Sequence, residues 1–338
     1  MASAGIIGMG SWGSALAYAL GSHGHHVTMW SKFEDEVKML QKKHEHITKL
    51  PGVILPEEVL ATTSMEDVCS DKDILVFAVP SIFVRSTAKE AAPYIKKGQL
   101  VVNVAKGIED DSLKLLSEIL REELPQAQIA VLSGPSHAEE VGRRIPTTLV
   151  AGASDEEAAK RVQDIFMSDV LRVYTSPDVT GIELGGALKN VIALAAGVID
   201  GLGYGDNTKA ALMTRGIAEM SRLGTACGGY PETFFGLSGI GDLIVTCTSR
   251  HSRNRKCGYL IGQGYTLDAA MKEVSMVVEG VYCARAALAM AQKYSVDMPI
   301  TAQVNDVLFE NKPAKTAVTE LFLRDGRIEN QRLSWHKN

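Results

Sequence analysis

The chain has 338 residues, 46% of them apolar and 22% charged, with a formal net charge of −5. That length exceeds what one hydrophobic core comfortably serves, so two domains are expected. The acidic balance gives no reason to expect nucleic acid or an anionic membrane as a partner, and any site for an anion must gather its positive charge locally.

In chain order, the first half alternates short apolar runs with helical patterns, the mark of βαβ units around a parallel sheet. Strands are predicted at 4–7 (AGII), 27–30 (VTMW), 74–79 (ILVFAV), 100–104 (LVVNV) and 129–132 (IAVL), with 147–151 and 171–174 extending the sheet. Each is nearly continuously apolar, as expected of strands covered on both faces. Ser154 and Glu157 are spaced as a capping box opening a helix. Beyond Ser176-Pro177 no strand is expected, only Ala-, Leu- and Gly-rich helices. The reading is an α/β domain, 1–176, with a mostly parallel sheet, followed by an all-α domain, 177–338, whose last dozen polar and basic residues are expected to fray.

No run of about 18 apolar residues suggests a membrane span. The start, MASAGIIGMGSWG, has neither the basic segment nor the apolar stretch of a secretion signal. Five scattered cysteines, at 69, 227, 247, 257 and 283, contain no C-x-x-C pair and fit a reducing cytoplasm. His23, His25, His26 and the pair His44/His46 have no partners at metal-ligand spacing, so no metal is expected.

Gly8-Met9-Gly10-Ser11-Trp12-Gly13 follows the first strand and opens a helix. Glycines at this spacing allow a tight turn, a close approach to a pyrophosphate and close packing of helix on strand, with helix amides facing the anion. The end of the second strand reads Trp30-Ser31-Lys32-Phe33-Glu34, with no carboxylate at the strand end itself. Lys32 could favour a 2′-phosphate or simply be solvated, which leaves NAD(H) and NADP(H) both open.

In the second half, GGALKNVIALAAGVIDG (185–201) sets Lys189 into an apolar helix. Leu184, Leu188, Val191, Ile192, Ala195 and Ile199 form its bulky stripe. Lys189 shares another line with Gly185, Gly186, Ala193, Ala196, Gly197 and Asp200, cleared either for a ligand or for a close backbone. Ser238-Gly-Ile-Gly-Asp-Leu243 and Thr246 precede Ser249-Arg-His-Ser-Arg-Asn-Arg255, whose arginines suit a phosphate unless they are only a basic surface loop. Lys106 stands just past a parallel strand, at the end where ligands bind in such sheets.

These stretches together resemble the soluble NAD(P)-dependent sn-glycerol-3-phosphate dehydrogenase family over essentially the whole length. The resemblance rests on G-x-G-S-W-G at 8–13, N-V-A-K-G at 103–107, S-G-P-S-H-A at 133–138 and G-G-A-L-K-N-V at 185–191. It continues with G-I-G-D-L at 239–243, H-S-R-N-R at 251–255, V-V-E-G at 277–280 and M-P-I-T at 298–301. One departure is His46-Ile-Thr-Lys-Leu-Pro51, where the family often has N-x-x-Y-L-P, outside its catalytic motifs.

The resemblance implies a 6-phosphogluconate-dehydrogenase-like second domain, a homodimer in the cytoplasm, and reversible reduction of dihydroxyacetone phosphate to sn-glycerol 3-phosphate for phospholipid synthesis. It implies Lys189 as the acid/base, with Lys106 and Asp242 completing the catalytic group. Gly134, Ser136, Ser252, Arg253 and Asn254 would contact substrate. Gly8, Gly10, Ser11, Trp12, Gly13, Lys32, Lys106, Ala138, Arg253, Val277 and Glu279 would contact the dinucleotide. Burial, Lys106 and Arg253 should lower the Lys189 pKa while Asp242 raises it. With those roles, the small residues around Lys189 read as clearance for substrate and nicotinamide. The competing readings are a 3-hydroxyacid or 6-phosphogluconate-type dehydrogenase, a sugar-nucleotide dehydrogenase using a cysteine such as Cys247 or Cys257, and a non-catalytic NAD-binding scaffold.

Overall fold

Eight strands form one sheet: β1 (Ser3–Ile7), β2 (His26–Trp30), β3 (Val59–Thr62), β4 (Ile74–Phe77), β5 (Leu100–Asn103), β6 (Gln128–Ser133), β7 (Thr147–Ala153) and β8 (Leu171–Ser176). Their spatial order is β3-β2-β1-β4-β5-β6-β7-β8, parallel throughout except where β7 runs antiparallel to β6. This computed structural model describes residues 1–326, 328 and 329. The last dozen residues, expected to fray, lie outside that set but for two.

The continuous apolar runs have a plain cause. Ile6, Ile74, Val76, Leu100 and Val102 point into one core, while Ile7, Leu75, Phe77 and Val101 point into another on the opposite face. Helices cover both faces: α1 (Ser11–Ser22), α2 (Glu34–Lys43), α3 (Met65–Cys69), α4 (Val84–Ala91), α5 (Leu116–Glu123), α6 (Ala138–Val141) and α7 (Glu156–Phe166).

Two local expectations change. β3 was not anticipated: it is a four-residue edge strand with Leu60 61% exposed, so it carries no continuous apolar signal. The cap of α7 is Asp155, whose carboxylate accepts from the Ala158 N–H at 3.1 Å, not Ser154. An anion is the better partner for a helix N-terminus.

After β8 the chain is helical: α8 (Val179–Gly201), α9 (Asp206–Ala226), α10 (Pro231–Phe234), α11 (Asp242–Thr248), α12 (Arg253–Gly262), α13 (Leu267–Val274), α14 (Glu279–Lys293), α15 (Pro299–Phe309) and α16 (Ala314–Phe322). Asp178 caps α8, accepting from Gly181 N–H at 2.8 Å, and its other oxygen accepts from the Tyr230 N–H at 2.9 Å. α8 is long and apolar enough to cross a membrane, yet it is buried throughout as the axis of the helical core.

α12 lies against α8 at backbone distance. A Cβ on Gly197 would meet the Arg255 carbonyl oxygen at 2.0 Å, and one on Gly258 would meet that of Leu194 at 1.9 Å. Gly201 and Gly262 repeat the arrangement one turn on. Paired small residues four apart let two helix backbones touch. This corrects part of the reading of the Lys189 face. Gly197 makes room for α12, and Gly185 for the Ser238 carbonyl, 2.6 Å from where its Cβ would lie. The clearance is for backbone there, not for a ligand.

Candidate active site

The turn from β1 into α1 shows three glycines with three different surroundings. Gly8 has φ +124° and a Cβ there would lie 2.8 Å from the Ala78 backbone. At Gly13 it would meet the Gly8 carbonyl oxygen at 2.1 Å, so α1 packs directly on the turn. Gly10 faces open space, and as the N-cap of α1 it offers no side chain to the helix amides. An uncapped helix N-terminus beside a Cβ-free opening fits a dinucleotide pyrophosphate.

Ser11 donates its hydroxyl to the Lys49 carbonyl at 2.6 Å, which lays the departing 46–51 loop against this turn. Trp12 is half-buried and packs on the sheet core. Lys32 is exposed at the end of β2, its ammonium 5.1 Å and 5.3 Å from the centres of the Phe33 and Phe83 rings. Glu36, a carboxylate near that strand end, accepts from Ser31 Oγ at 2.7 Å and pairs with Lys49.

The sheet order sets β1, β4, β5 and β6 side by side, so their carboxyl ends line one edge. Gly8, Ser81, Lys106 and Gly134 follow those ends, and the helical half supplies the facing wall. Lys106 Nζ donates to Asp242 Oδ2 at 2.6 Å and to the Gly134 carbonyl at 3.0 Å. Lys189 Nζ donates to Asp242 Oδ1 at 3.0 Å and to Thr246 Oγ1 at 2.7 Å. Thr246 in turn donates to the Asp242 carbonyl at 2.6 Å. Lys106, Gly134, Lys189 and Asp242, each given a role from the sequence, thus meet with Thr246 in one bonded group.

Two ammonium groups share one carboxylate, which leaves the centre with a net positive charge inside an acidic protein. Burial pushes Lys189 down to about 8, with Lys106 adding to the shift and Asp242 opposing it. Burial acts to raise the Asp242 pKa, but Lys106 and Lys189 outweigh it and hold the carboxylate ionised.

Ser252 caps α12, accepting from the Arg255 N–H at 3.2 Å. Arg253 is exposed and, among the described residues, makes no hydrogen bond or ion pair. Asn254 is buried: its Nδ2 donates to Asn190 Oδ1 at 2.8 Å, and its Oδ1 accepts from Gly280 N–H at 2.8 Å. Arg255 is not part of the open basic group, because Asp200 on α8 holds its guanidinium at 2.6 Å.

Glu279, which opens α14, accepts from Ser81 N–H at 3.1 Å and Ser81 Oγ at 2.5 Å, joining the two halves. Burial raises its pKa against the donors from Ser81 and the field of Arg253. Val277 is half-buried just before it. Ser136 donates to the Gly134 carbonyl at 2.9 Å, and Ala138 is buried at the start of α6.

Thr246, Asn190, Ser81 and Glu183 stand in or behind this group without having drawn a role from the sequence. Hydroxyl and amide side chains are too common to mark a site until their partners are known. His137 lies beside it too, its Nε2 buried and unpartnered and its pKa lowered by burial and by Lys189. Cys247 and Cys257 are buried, their thiols pushed up to about 12 and about 11 by desolvation. Neither is a nucleophile in that state. Among the described residues no group of three or more His, Cys, Asp and Glu could hold a metal.

Comparison with known proteins gives one answer. Residues 3–159 match the family model described as NAD-dependent glycerol-3-phosphate dehydrogenase N-terminus, and residues 178–319 match its C-terminus counterpart. A glycerol-3-phosphate dehydrogenase [NAD(P)+] of Agathobacter rectalis is 63% identical over 335 residues, covering 99% of this chain and all of the relative. One of Fusobacterium nucleatum is 56% identical over 337 residues, with 99% and 100% coverage. The crystal structure of glycerol-3-phosphate dehydrogenase from Coxiella burnetii superposes with a TM-score of 0.92 at 36% identity, covering 96% of this chain and 99% of that one. A ketopantoate reductase from Ralstonia eutropha shares only the fold, at TM-score 0.62 and 15% identity. The chain belongs to the NAD(P)-dependent glycerol-3-phosphate dehydrogenase family.

Proposed function

We propose that the chain reversibly reduces dihydroxyacetone phosphate to sn-glycerol 3-phosphate at the Lys106–Asp242–Lys189 centre. The observation that carries this reading is the pair of ammonium groups bonded to one buried carboxylate at 2.6 Å and 3.0 Å, at the carboxyl edge of the sheet. Residues 1–176 would form the dinucleotide domain and 177–338 the substrate and catalytic domain.

When bound, the nicotinamide dinucleotide supplies the hydride for the C2 carbonyl carbon. Gly8, Gly10, Ser11, Trp12 and Gly13 would hold its pyrophosphate, Lys32 its adenosine end, and Lys106, Ala138, Arg253, Val277 and Glu279 the remainder. Lys189, as ammonium, polarises the C2 oxygen and gives it a proton; in the reverse direction its neutral amine removes that proton. Asp242 orients Lys189 and Lys106, and Lys106 adds positive charge where negative charge develops on the substrate. The substrate phosphate is assigned to Arg253, Ser252 and Asn254 at the start of α12, where a helix N-terminus carries an exposed arginine. Gly134 and Ser136 complete the wall. Binding energy from the phosphate then orients the carbonyl remote from it.

A homodimer, a cytoplasmic location and a supply of glycerol phosphate to phospholipid synthesis complete the proposal. The test follows absorbance of NADH and of NADPH with dihydroxyacetone phosphate present. Consumption of either cofactor, lost in Lys189→Ala, is expected. No turnover with either, or full turnover in the variant, overturns the reading. Sedimentation of the purified protein reads the dimer.

A further inference from the structure

Glu183 lies on α8, six residues before Lys189, and its carboxylate is buried with no ion pair among the described residues. A buried carboxylate without a cationic partner is costly, and burial pushes this one up to about 7 against the hydrogen bonds it accepts. Its hydrogen-bond partners are donors, and the field of Arg121, one turn on from Ser117, also favours the charged form. Ser117 N–H, in the first turn of α5, approaches its two oxygens at 3.0 and 3.3 Å, and Asn103 Nδ2 approaches Oε1 at 3.1 Å.

Asn103 ends β5 and folds the next turn around itself. Its Nδ2 also donates to the Ala105 carbonyl at 3.0 Å, and its Oδ1 accepts from the Ala105 N–H at 3.1 Å. The following residue is Lys106. Its stem lies along α8 at Gly186, where a Cβ would be 3.4 Å from Lys106 Cγ and 3.6 Å from Cδ. One helix therefore grips the turn at 183, seats the lysine stem at 186 and carries the second ammonium at 189, a step of three residues or about 4.5 Å each time.

We infer that Glu183 is a positioning residue for the reaction: its carboxylate fixes the turn bearing Lys106 to the helix bearing Lys189, so that both ammonium groups reach Asp242. This rests on the assignment of Lys106 to the reacting centre made above. A merely structural Glu183 would anchor the start of α5 and leave turnover by folded enzyme untouched.

The experiment is a double-mutant cycle on kcat/KM for dihydroxyacetone phosphate at saturating cofactor, with thermal unfolding recorded for each protein. Glu183→Ala should lower kcat/KM by about 30-fold or more, since displacing a reacting group by an ångström costs on the order of 10²-fold. Glu183→Gln keeps the oxygen that both Ser117 and Asn103 use, and should recover activity to within about 5-fold of the parent. In a Lys106→Met background the Glu183→Ala loss should shrink to about 3-fold or less, because the residue it acts through is gone. Folded Glu183→Ala enzyme with parental kcat/KM overturns the inference, as does an equal loss in both backgrounds. If the alanine variant does not fold, the same cycle with Glu183→Asp, which draws the carboxylate back from Ser117 and Asn103, decides: coupling to Lys106→Met supports the inference and an equal loss in both backgrounds overturns it. Parental activity in Lys106→Met alone removes the assignment of Lys106, and the inference falls with it. An inactive Lys106→Met beside an unaffected Glu183→Ala removes the inference alone.

Discussion

Replacing Lys189 with methionine keeps the length of the buried side chain and removes its proton. Lys106 still holds Asp242 at 2.6 Å, so the carboxylate keeps a partner and the site is not left with an unpaired buried charge. Loss of a positioned acid should lower kcat for reduction by roughly 10²–10⁴-fold, with cofactor affinity little changed. The structure adds a pH signature. With Lys189 at about 8 in the free enzyme, about 90% of it is ammonium at pH 7 and about 1% at pH 10.

Reduction needs the ammonium, so its kcat/KM should fall through pH 8 with a limiting slope of about −1, losing on the order of 100-fold by pH 10. Oxidation of glycerol 3-phosphate needs the amine and should rise across the same interval. The assay is initial-rate kcat/KM in both directions from pH 6.5 to 10 at fixed ionic strength, repeated on the residual activity of Lys189→Met. A reduction profile flat to pH 10, or the same limb surviving in the methionine variant, would refute Lys189 as the group that titrates.

At saturating cofactor, which offsets any loss of the Arg253 contact to the dinucleotide, Arg253→Ala should lower kcat/KM for dihydroxyacetone phosphate by roughly 10–100-fold, the worth of a charged hydrogen bond, and cost unphosphorylated dihydroxyacetone far less. An equal loss on both substrates would contradict a phosphate contact. Lys32→Glu should lower kcat/KM for NADPH by roughly 10–100-fold and spare NADH, because only the 2′-phosphate meets the new charge; parallel losses would count against that location. Gly258→Ala forces a methyl into the space of the Leu194 carbonyl. It should cost roughly 1–3 kcal/mol, read as a fall of about 3–10 °C in Tm. An unchanged Tm would show that α8 and α12 can separate freely.

Much of the fold was legible along the chain because its signals are local. Strands β1, β2, β4, β5 and β6 announce themselves as short apolar runs, since both faces of a parallel sheet are buried. The glycine turn after β1 is equally local: Gly8, Gly10 and Gly13 act within six residues of one another. β3 escaped because an edge strand with an exposed leucine needs neither continuous apolar character nor a long run. The cap of α7 slipped by one residue because Ser154 and Asp155 are both capable caps, and only the end of β7 at Ala153 and the carboxylate's reach to Ala158 choose between them.

For the site, the residue types could be read along the chain: two lysines, an aspartate and a basic loop in motifs of recognisable order. The sequence could not say which arginine was free, and the structure withdrew Arg255 into a pair with Asp200 while leaving Arg253 open. Nor could it say whether burial or Asp242 governed Lys189; burial did. Two of the small residues around that lysine, Gly185 and Gly197, proved to be seats for the Ser238 and Arg255 carbonyls, while Gly186 faces the Lys106 stem, because the face of a helix shows spacing but not what lies opposite. Residues 106, 183, 189 and 242 become one network only when β5, α8 and α11 meet. Hydrogen bonds act over about 3 Å, and no pattern along the chain reports that distance between positions so far apart.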